Sequence, residues 1–179
     1  MPKPSRKSYV PTHPTKFVVE FAPGEFSSYL KSLKAFTAGQ VMCTLRGLTH
    51  GAKAYTSVQC GRGAHDHIEL NSDLVYINHS CEPNVAFDLS STDRAKWHLR
   101  ALKDIKRGEP LTFFYPSTEW DMDQRFKCEC GTPTCVGSIQ GAKYLSRKEL
   151  QARGFVSPWI QELVSERDNK TPERAVSRL

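Results

Sequence analysis

Between "KFVVEF" (16–21) and "TFFYP" (112–116) the apolar positions come in short runs rich in Val, Phe, Tyr and Thr. Gly and Pro interrupt them at Pro23-Gly24, Gly39, Gly51, Gly61, Gly63, Pro83 and Gly108. Short β-branched and aromatic runs punctuated in this way predict many short strands, hence a mostly β domain. "WHLRAL" and "LTFFYP" are expected as two strands around the tight connection "KDIKRGEP". The pattern changes after Gly141. Ser146 with Glu149 three residues on forms a capping box and Gly154 a stop, which predicts one helix; Pro158 opens a second, "PWIQELVSERD". Residues 1–16, with scattered prolines and no helical period, read as a basic flexible arm, and the last ten or so as disordered.

Length and charge narrow the class. A chain of 179 residues is about one domain with a real core. No apolar run approaches the roughly 20 residues of a membrane span, and the N-terminus lacks the apolar stretch of a secretory signal, so an intracellular protein is expected, its compartment unassigned. The net charge of +6 is unevenly spread: 1–16 hold four basic residues and no acid, 143–179 eight against five, and 17–142 thirteen against fourteen. Basicity confined to the ends describes solvated tails before it describes a nucleic-acid surface; nucleic acid is therefore the less favoured partner.

Cysteine spacing changes the picture most. "CECGTPTC" sets Cys128, Cys130 and Cys135 within eight residues. Three neighbouring thiolates repel one another unless a cation neutralises them, and zinc, tetrahedral and thiolate-loving, is the natural one. A fourth ligand is needed, with Cys43, Cys60 and Cys81 available. Cys81 is the best candidate, because the following Glu-Pro-Asn turn holds it at a bend; Cys43 and Cys60 read as small buried hydrophobes. "HDH" (65–67) and "GRG" (61–63) read as polar turns rather than as a metal or phosphate site.

Taken in order, "NHSCEPN" (78–84), "GEPLTFFY" (108–115) and "CECGTPTCVGSI" (128–139) resemble a SET domain with its post-SET zinc segment. SET domains are S-adenosylmethionine-dependent protein lysine methyltransferases. The resemblance implies small curved sheets with a threaded (pseudoknot) segment carrying Asn78-His79. It implies a SET domain over 17–116, a post-SET zinc segment over 117–142 and a helical extension over 143–179. Cys81 then becomes the fourth ligand of one structural Zn2+ with Cys128, Cys130 and Cys135. Asn78, His79 and Tyr76 would meet the cofactor, and Val136 to Ile139 would cover its adenine. Tyr115 corresponds to the catalytic tyrosine. Phe113 falls at the family's Phe/Tyr switch, where Phe leaves room for more than one methyl group.

Several positions depart from the family pattern. The cofactor-binding Gly-x-Gly falls on Ser27-Ser28-Tyr29, and a channel tyrosine is replaced by Leu45, leaving Tyr55 or Tyr76 to supply the missing wall. Trp120 is assigned to the substrate channel, among Glu119, Asp121 and Asp123. That loop reads either as a solvated acidic loop or as a docking lip for a basic segment. The function expected is methyl transfer to a lysine of a protein, a basic tail being the candidate substrate. The alternative is a SET fold that does not methylate lysine, serving as a binding module or repurposed for another reaction in small-molecule metabolism.

Overall fold

The computed structural model describes residues 8–24 and 26–170; the expected disordered end, from 171 on, and the first seven residues of the expected arm lie outside them. Strand β1 (Phe17–Glu20) shows why the period-two pattern holds: Phe17 and Val19 are buried while Val18 and Glu20 are half-buried. It pairs antiparallel with β2 (Tyr29–Ser32), Phe17 opposite Ser32. Strand β3 (Val41–Thr44), β4 (Thr49–Gly51), β5 (Ser57–Gln59) and β6 (His67–Glu69) follow. Then come β7 (Asn78–His79), β8 (Val85–Asp88), β9 (His98–Ala101) and β10 (Thr112–Phe113), and finally β11 (Phe126–Lys127) and β12 (Ser138–Ile139). They form small sheets ordered β1-β2, β3-β9-β8, β4-β6-β5, β10-β7 and β11-β12. The core between them is built on Phe17, Leu30, Phe87, Leu99, Leu111 and Phe114, each under 2% exposed. This is the mostly β architecture of small sheets that the sequence predicts.

Strands β9 and β10 both form, but not as a hairpin. Strand β9 lies between β3 and β8, whereas β10 runs parallel to β7, Thr112 opposite Asn78 and Phe113 opposite His79. The connection between them is held elsewhere: Ile105 bridges to Phe36 and Pro110 to Lys31, and Gly108 takes the φ of +88° that the turn requires. A parallel pair needs a long crossover, and here the crossover carries β8 and β9.

Residues 8–16, expected as part of the flexible arm, are tied to the core. Asp73 is 1% exposed. It accepts hydrogen bonds from the Tyr9 hydroxyl (2.9 Å), from the Thr12 N–H at both oxygens (3.0 Å) and from the His13 N–H (2.7 Å). The Tyr9 ring packs edge-on against Phe21 and Tyr76. A buried carboxylate must collect donors, and this one draws them from a segment 61 residues away in sequence.

The C-terminal extension follows the expected punctuation. Helix α1 (Arg147–Gln151) carries both halves of the Ser146/Glu149 capping box. Helix α2 (Pro158–Lys170) buries Trp159, Ile160 and Val164, and the Trp159 indole N–H donates to the Thr118 carbonyl at 3.1 Å. The extension is thereby fixed to the segment following β10.

Candidate functional site

The parallel β7/β10 pair places Asn78 and His79 beside the chain that leads into Tyr115. Their side chains line one cavity of about 710 Å³, together with Phe113, Tyr55 and Glu119. Its size lies within the roughly 300–1,000 Å³ usual for small-ligand sites. The Asn78 amide donates to the Ser28 carbonyl at 3.0 Å. The Tyr115 N–H donates to His79 Nδ1 at 3.3 Å, which leaves the ring proton on Nε2, 3.4 Å from Cys81 Sγ. Burial, with the Arg153 guanidinium adding to it, pushes the His79 imidazole down to about 3. It is therefore a neutral spacer linking Tyr115 to Cys81.

The Tyr115 hydroxyl donates to the Ile77 carbonyl at 3.3 Å, and burial pushes it above the ordinary phenol range. Its ring stands 4.6 Å from that of Phe113, and Phe113 meets Phe87 edge-on at 4.8 Å. One wall of the cavity is thus aromatic, with a hydroxyl and a carbonyl at its edge.

Strands β11 and β12 cover the site. The Phe126 ring sits 5.7 Å from His79 and 6.1 Å from Tyr115. In β11 Phe126 and Lys127 are both exposed, and in β12 only Ile139 is buried. Beside this cover Cys81, Cys128, Cys130 and Cys135 bring their Sγ atoms within 4.8 Å of one another, with Cys81 and Cys128 at 3.8 Å. Tetrahedral zinc with bonds of about 2.3 Å requires S···S distances of about 3.8 Å. The donor set fits such an ion. Gly131, at φ +66°, allows the bend that returns Cys135 to the cluster. Cys43 is buried and Cys60 half-buried, both outside the cluster. His65 and Asp66 lie in a turn, while His67 begins β6 with Nδ1 3.1 Å from the Ser57 hydroxyl; among the described residues no metal-binding group forms there.

Other predicted site residues sit elsewhere. Tyr76 is 2% exposed, packed against Tyr9 and Phe21 in the core and not on the cavity wall. Ser27, Ser28 and Tyr29 do not line the cavity either; Ser28 reaches its edge through the bond to Asn78, and Tyr29 begins β2. Val136 and Ile139 lie behind the cover, Ile139 fully buried opposite Phe126. Trp120 is not on the cavity wall but packs against the core, while its backbone N–H donates to the Gln59 side chain and its carbonyl accepts the Lys143 N–H. The cause is local. Pro116 opens a 3-10 turn (Tyr115–Ser117), and the Thr118 and Glu119 N–H groups both return to the Tyr115 carbonyl at 3.1 Å. One turn beyond Tyr115 the chain presents Glu119, not Trp120, to the cavity.

Two contributors went unread in the sequence. Arg153 is 7% exposed and donates to the Cys81 carbonyl (2.7 Å) and the Thr134 carbonyl (2.9 Å), clamping the cysteine loop onto the bend that carries His79. Phe26, at φ +61° and 58% exposed, meets the Tyr55 ring edge-on at 5.5 Å at the cavity mouth.

An aromatic cavity closed by a thiolate-held flap beside an Asn-His bend defines the class as a SET-type methyltransferase scaffold. Residues 13–116 match the SET domain family, and the chain belongs to it. It is 39% identical over 158 residues to "Methyltransferase flvH" of Aspergillus flavus, spanning 87% of this chain and 84% of that protein. It is 44% identical over 66 residues to a "Histone-lysine N-methyltransferase, H3 lysine-4 specific" of Emericella nidulans, covering 36% of this chain and 5% of that protein. A "Histone-lysine N-methyltransferase, H3 lysine-36 specific" of Mycosarcoma maydis is 40% identical over 74 residues, 7% of its length. Methyltransferases of the SET family use S-adenosylmethionine. Among the described residues no helix is long and apolar enough to cross a membrane.

Proposed function

We propose that the protein transfers methyl groups from S-adenosylmethionine to the side-chain nitrogen of a lysine in a protein substrate, with one structural zinc ion on Cys81, Cys128, Cys130 and Cys135. The observation that carries this reading is the meeting of Asn78, His79, Phe113 and Tyr115 in one cavity beneath the cysteine-held cover. When bound, the cofactor supplies an electrophilic methyl group on a sulfonium.

The chain's own residues must then do three things. Asn78 and the backbone around His79 hold the cofactor. Tyr115 and the Ile77 carbonyl orient the amine for in-line attack, which is catalysis by positioning. Phe113, Phe126 and Tyr115 keep the reacting centre dry. Dryness matters because a free lysine with a pKa of about 10.4 is protonated over neutral by roughly 2,500 to one at pH 7, a handicap of about 4.6 kcal/mol. A desolvated channel lowers that pKa, as does a nearby sulfonium. Phe113 leaves space for more than one methyl group on the nitrogen. The zinc builds the wall and takes no part in the bond changes.

A second reading keeps methyl transfer but replaces the protein substrate by a small molecule. Leu45, standing where the family has a channel tyrosine, is buried in the core, and the relative matched over 84% of its length carries no histone in its name. Transfer of a labelled methyl group from S-adenosylmethionine to lysine-containing peptides tests the first reading. Label on a lysine nitrogen, lost in Tyr115→Phe, supports it; label only on small-molecule amines moves the assignment to the second.

A further inference from the structure

Glu119 is the one charged side chain on the cavity wall, among the described residues, that is buried. It is 9% exposed, whereas Asp123, Arg125, Lys127 and Glu129 are all exposed. It lies one turn beyond Tyr115, its N–H returning to the Tyr115 carbonyl at 3.1 Å, so both side chains face the same space. One carboxylate oxygen accepts the Gln59 N–H at 2.6 Å. The Gln59 side chain in turn accepts the Trp120 N–H at 2.8 Å and donates to the Gly61 carbonyl at 2.7 Å. That clasp fixes the carboxylate but uses little of its capacity, which is about four acceptor positions. The Thr118 side chain is a second hydrogen-bond partner and Lys53 acts on it by charge at a distance; among the described residues no cation is in salt-bridge contact with it. Burial pushes its carboxyl up to about 7, so the group can take up or give up a proton near neutral pH. Structural need explains the Gln59 contact. It does not explain a buried carboxyl on the wall of a reaction cavity.

We infer that Glu119 is the substrate-binding carboxylate of this cavity: it receives the ammonium form of an aliphatic amine and takes its proton. This deepens the methyl-transfer reading and rests on it. In the step itself an N–H bond of the ammonium breaks and an O–H bond forms on Glu119. The freed nitrogen lone pair then bonds to the methyl carbon, and the electrons of the C–S bond return to sulfur. The charge left behind is the positive charge of the methylated ammonium, balanced by release of the Glu119 proton to solvent.

Glu119→Gln is the decisive variant, because the amide oxygen still accepts the Gln59 N–H while the charge and the proton acceptor are gone. Binding of n-butylamine and of a lysine-containing peptide is measured by calorimetry, with label transfer to each measured separately. The expected result is an unchanged melting temperature, unchanged S-adenosylmethionine affinity, and amine binding and kcat/KM each reduced about 10- to 100-fold. The neutral analogue n-butanol should bind wild type and variant alike. Loss confined to the peptide identifies a protein substrate, and loss with the free amine as well a pocket that recognises the amine alone. Wild type that binds amine through Glu119 but transfers no methyl sinks the methyl-transfer reading and leaves the contact standing. Wild type that methylates amines as well as Glu119→Gln does overturns the inference and spares that reading. No amine binding by wild type overturns it too.

Discussion

The two ends of the SET unit are fastened by opposite means. At the N-terminal end, residues 9–13 are held by a buried carboxylate, Asp73, with three backbone or hydroxyl partners and the edge-on packing of Tyr9. At the C-terminal end, β11 and β12 are two residues long, largely exposed, and gathered around four cysteines. The first fastening is complete in the polypeptide itself. The second has the donor set of a metal site, with Ile139 its one fully buried strand residue. If the proposed zinc is bound, cavity floor and cavity cover should fail separately: the floor by losing packing or hydrogen bonds, the cover by losing metal.

The largest effect should follow removal of the ion. Structural zinc sites supply folding free energy outright, so Cys135→Ser is expected to drop bound zinc well below one per chain and methyl transfer to background. Elemental analysis beside the label-transfer assay checks this. Circular dichroism should still report the β sheets of the floor; their collapse would erase the proposed independence. Next comes Tyr115→Phe, which leaves both fastenings intact. Turnover should fall about 10²-fold with S-adenosylmethionine affinity within a factor of about three, measured by single-turnover kinetics and calorimetry. Equal loss of both would make Tyr115 a wall residue and not an orienting one.

Asp73→Asn acts on the other end. An amide there turns an N–H2 toward the Tyr9, Thr12 and His13 donors, and the expected loss is about 3 kcal/mol, or a melting temperature lower by roughly 10 °C. Zinc content should not change. The smallest expected effect is on pH. His13, bonded to Asp73 and to Cys43, is pushed up to about 9, and Asp73 is held at about 2 because the donors outweigh its burial. The His13 contribution is fully present below pH 6.5 and disappears as pH rises through about 9. The Asp73 contribution is present above pH 3.8 and disappears as pH falls toward 2. Melting curves between pH 6 and 10 should show a decline of a few degrees that His13→Gln abolishes.

What was legible beforehand was what local spacing or the chemistry of a residue type announces. The capping box at Ser146 and Glu149, the strand-rich pattern, and the gathering of Cys81 with Cys128, Cys130 and Cys135 could all be read, because local spacing or thiolate chemistry fixes them. The Asp73 clasp could not, since its donors lie 61 residues earlier in a Pro-rich stretch that looks unstructured. Strands β9 and β10 were legible as strands but not as members of different sheets, which depends on Ile105 meeting Phe36. At the site, the sequence offered Trp120 as a channel residue and Glu119 only as one acid of a loop; the structure puts Glu119 on the cavity wall and Trp120 off it. Counting one turn from Tyr115, after the Pro116 start signal, places Glu119 on the same side as Tyr115.

The account turns on the cover being metal-held and being part of the cofactor site. Titration of S-adenosylmethionine into zinc-loaded protein and into the same protein after chelation tests both at once. Saturable one-to-one binding that weakens at least about 100-fold on chelation, and returns when zinc is restored, is the predicted result. Equal affinity with and without the ion would contradict it.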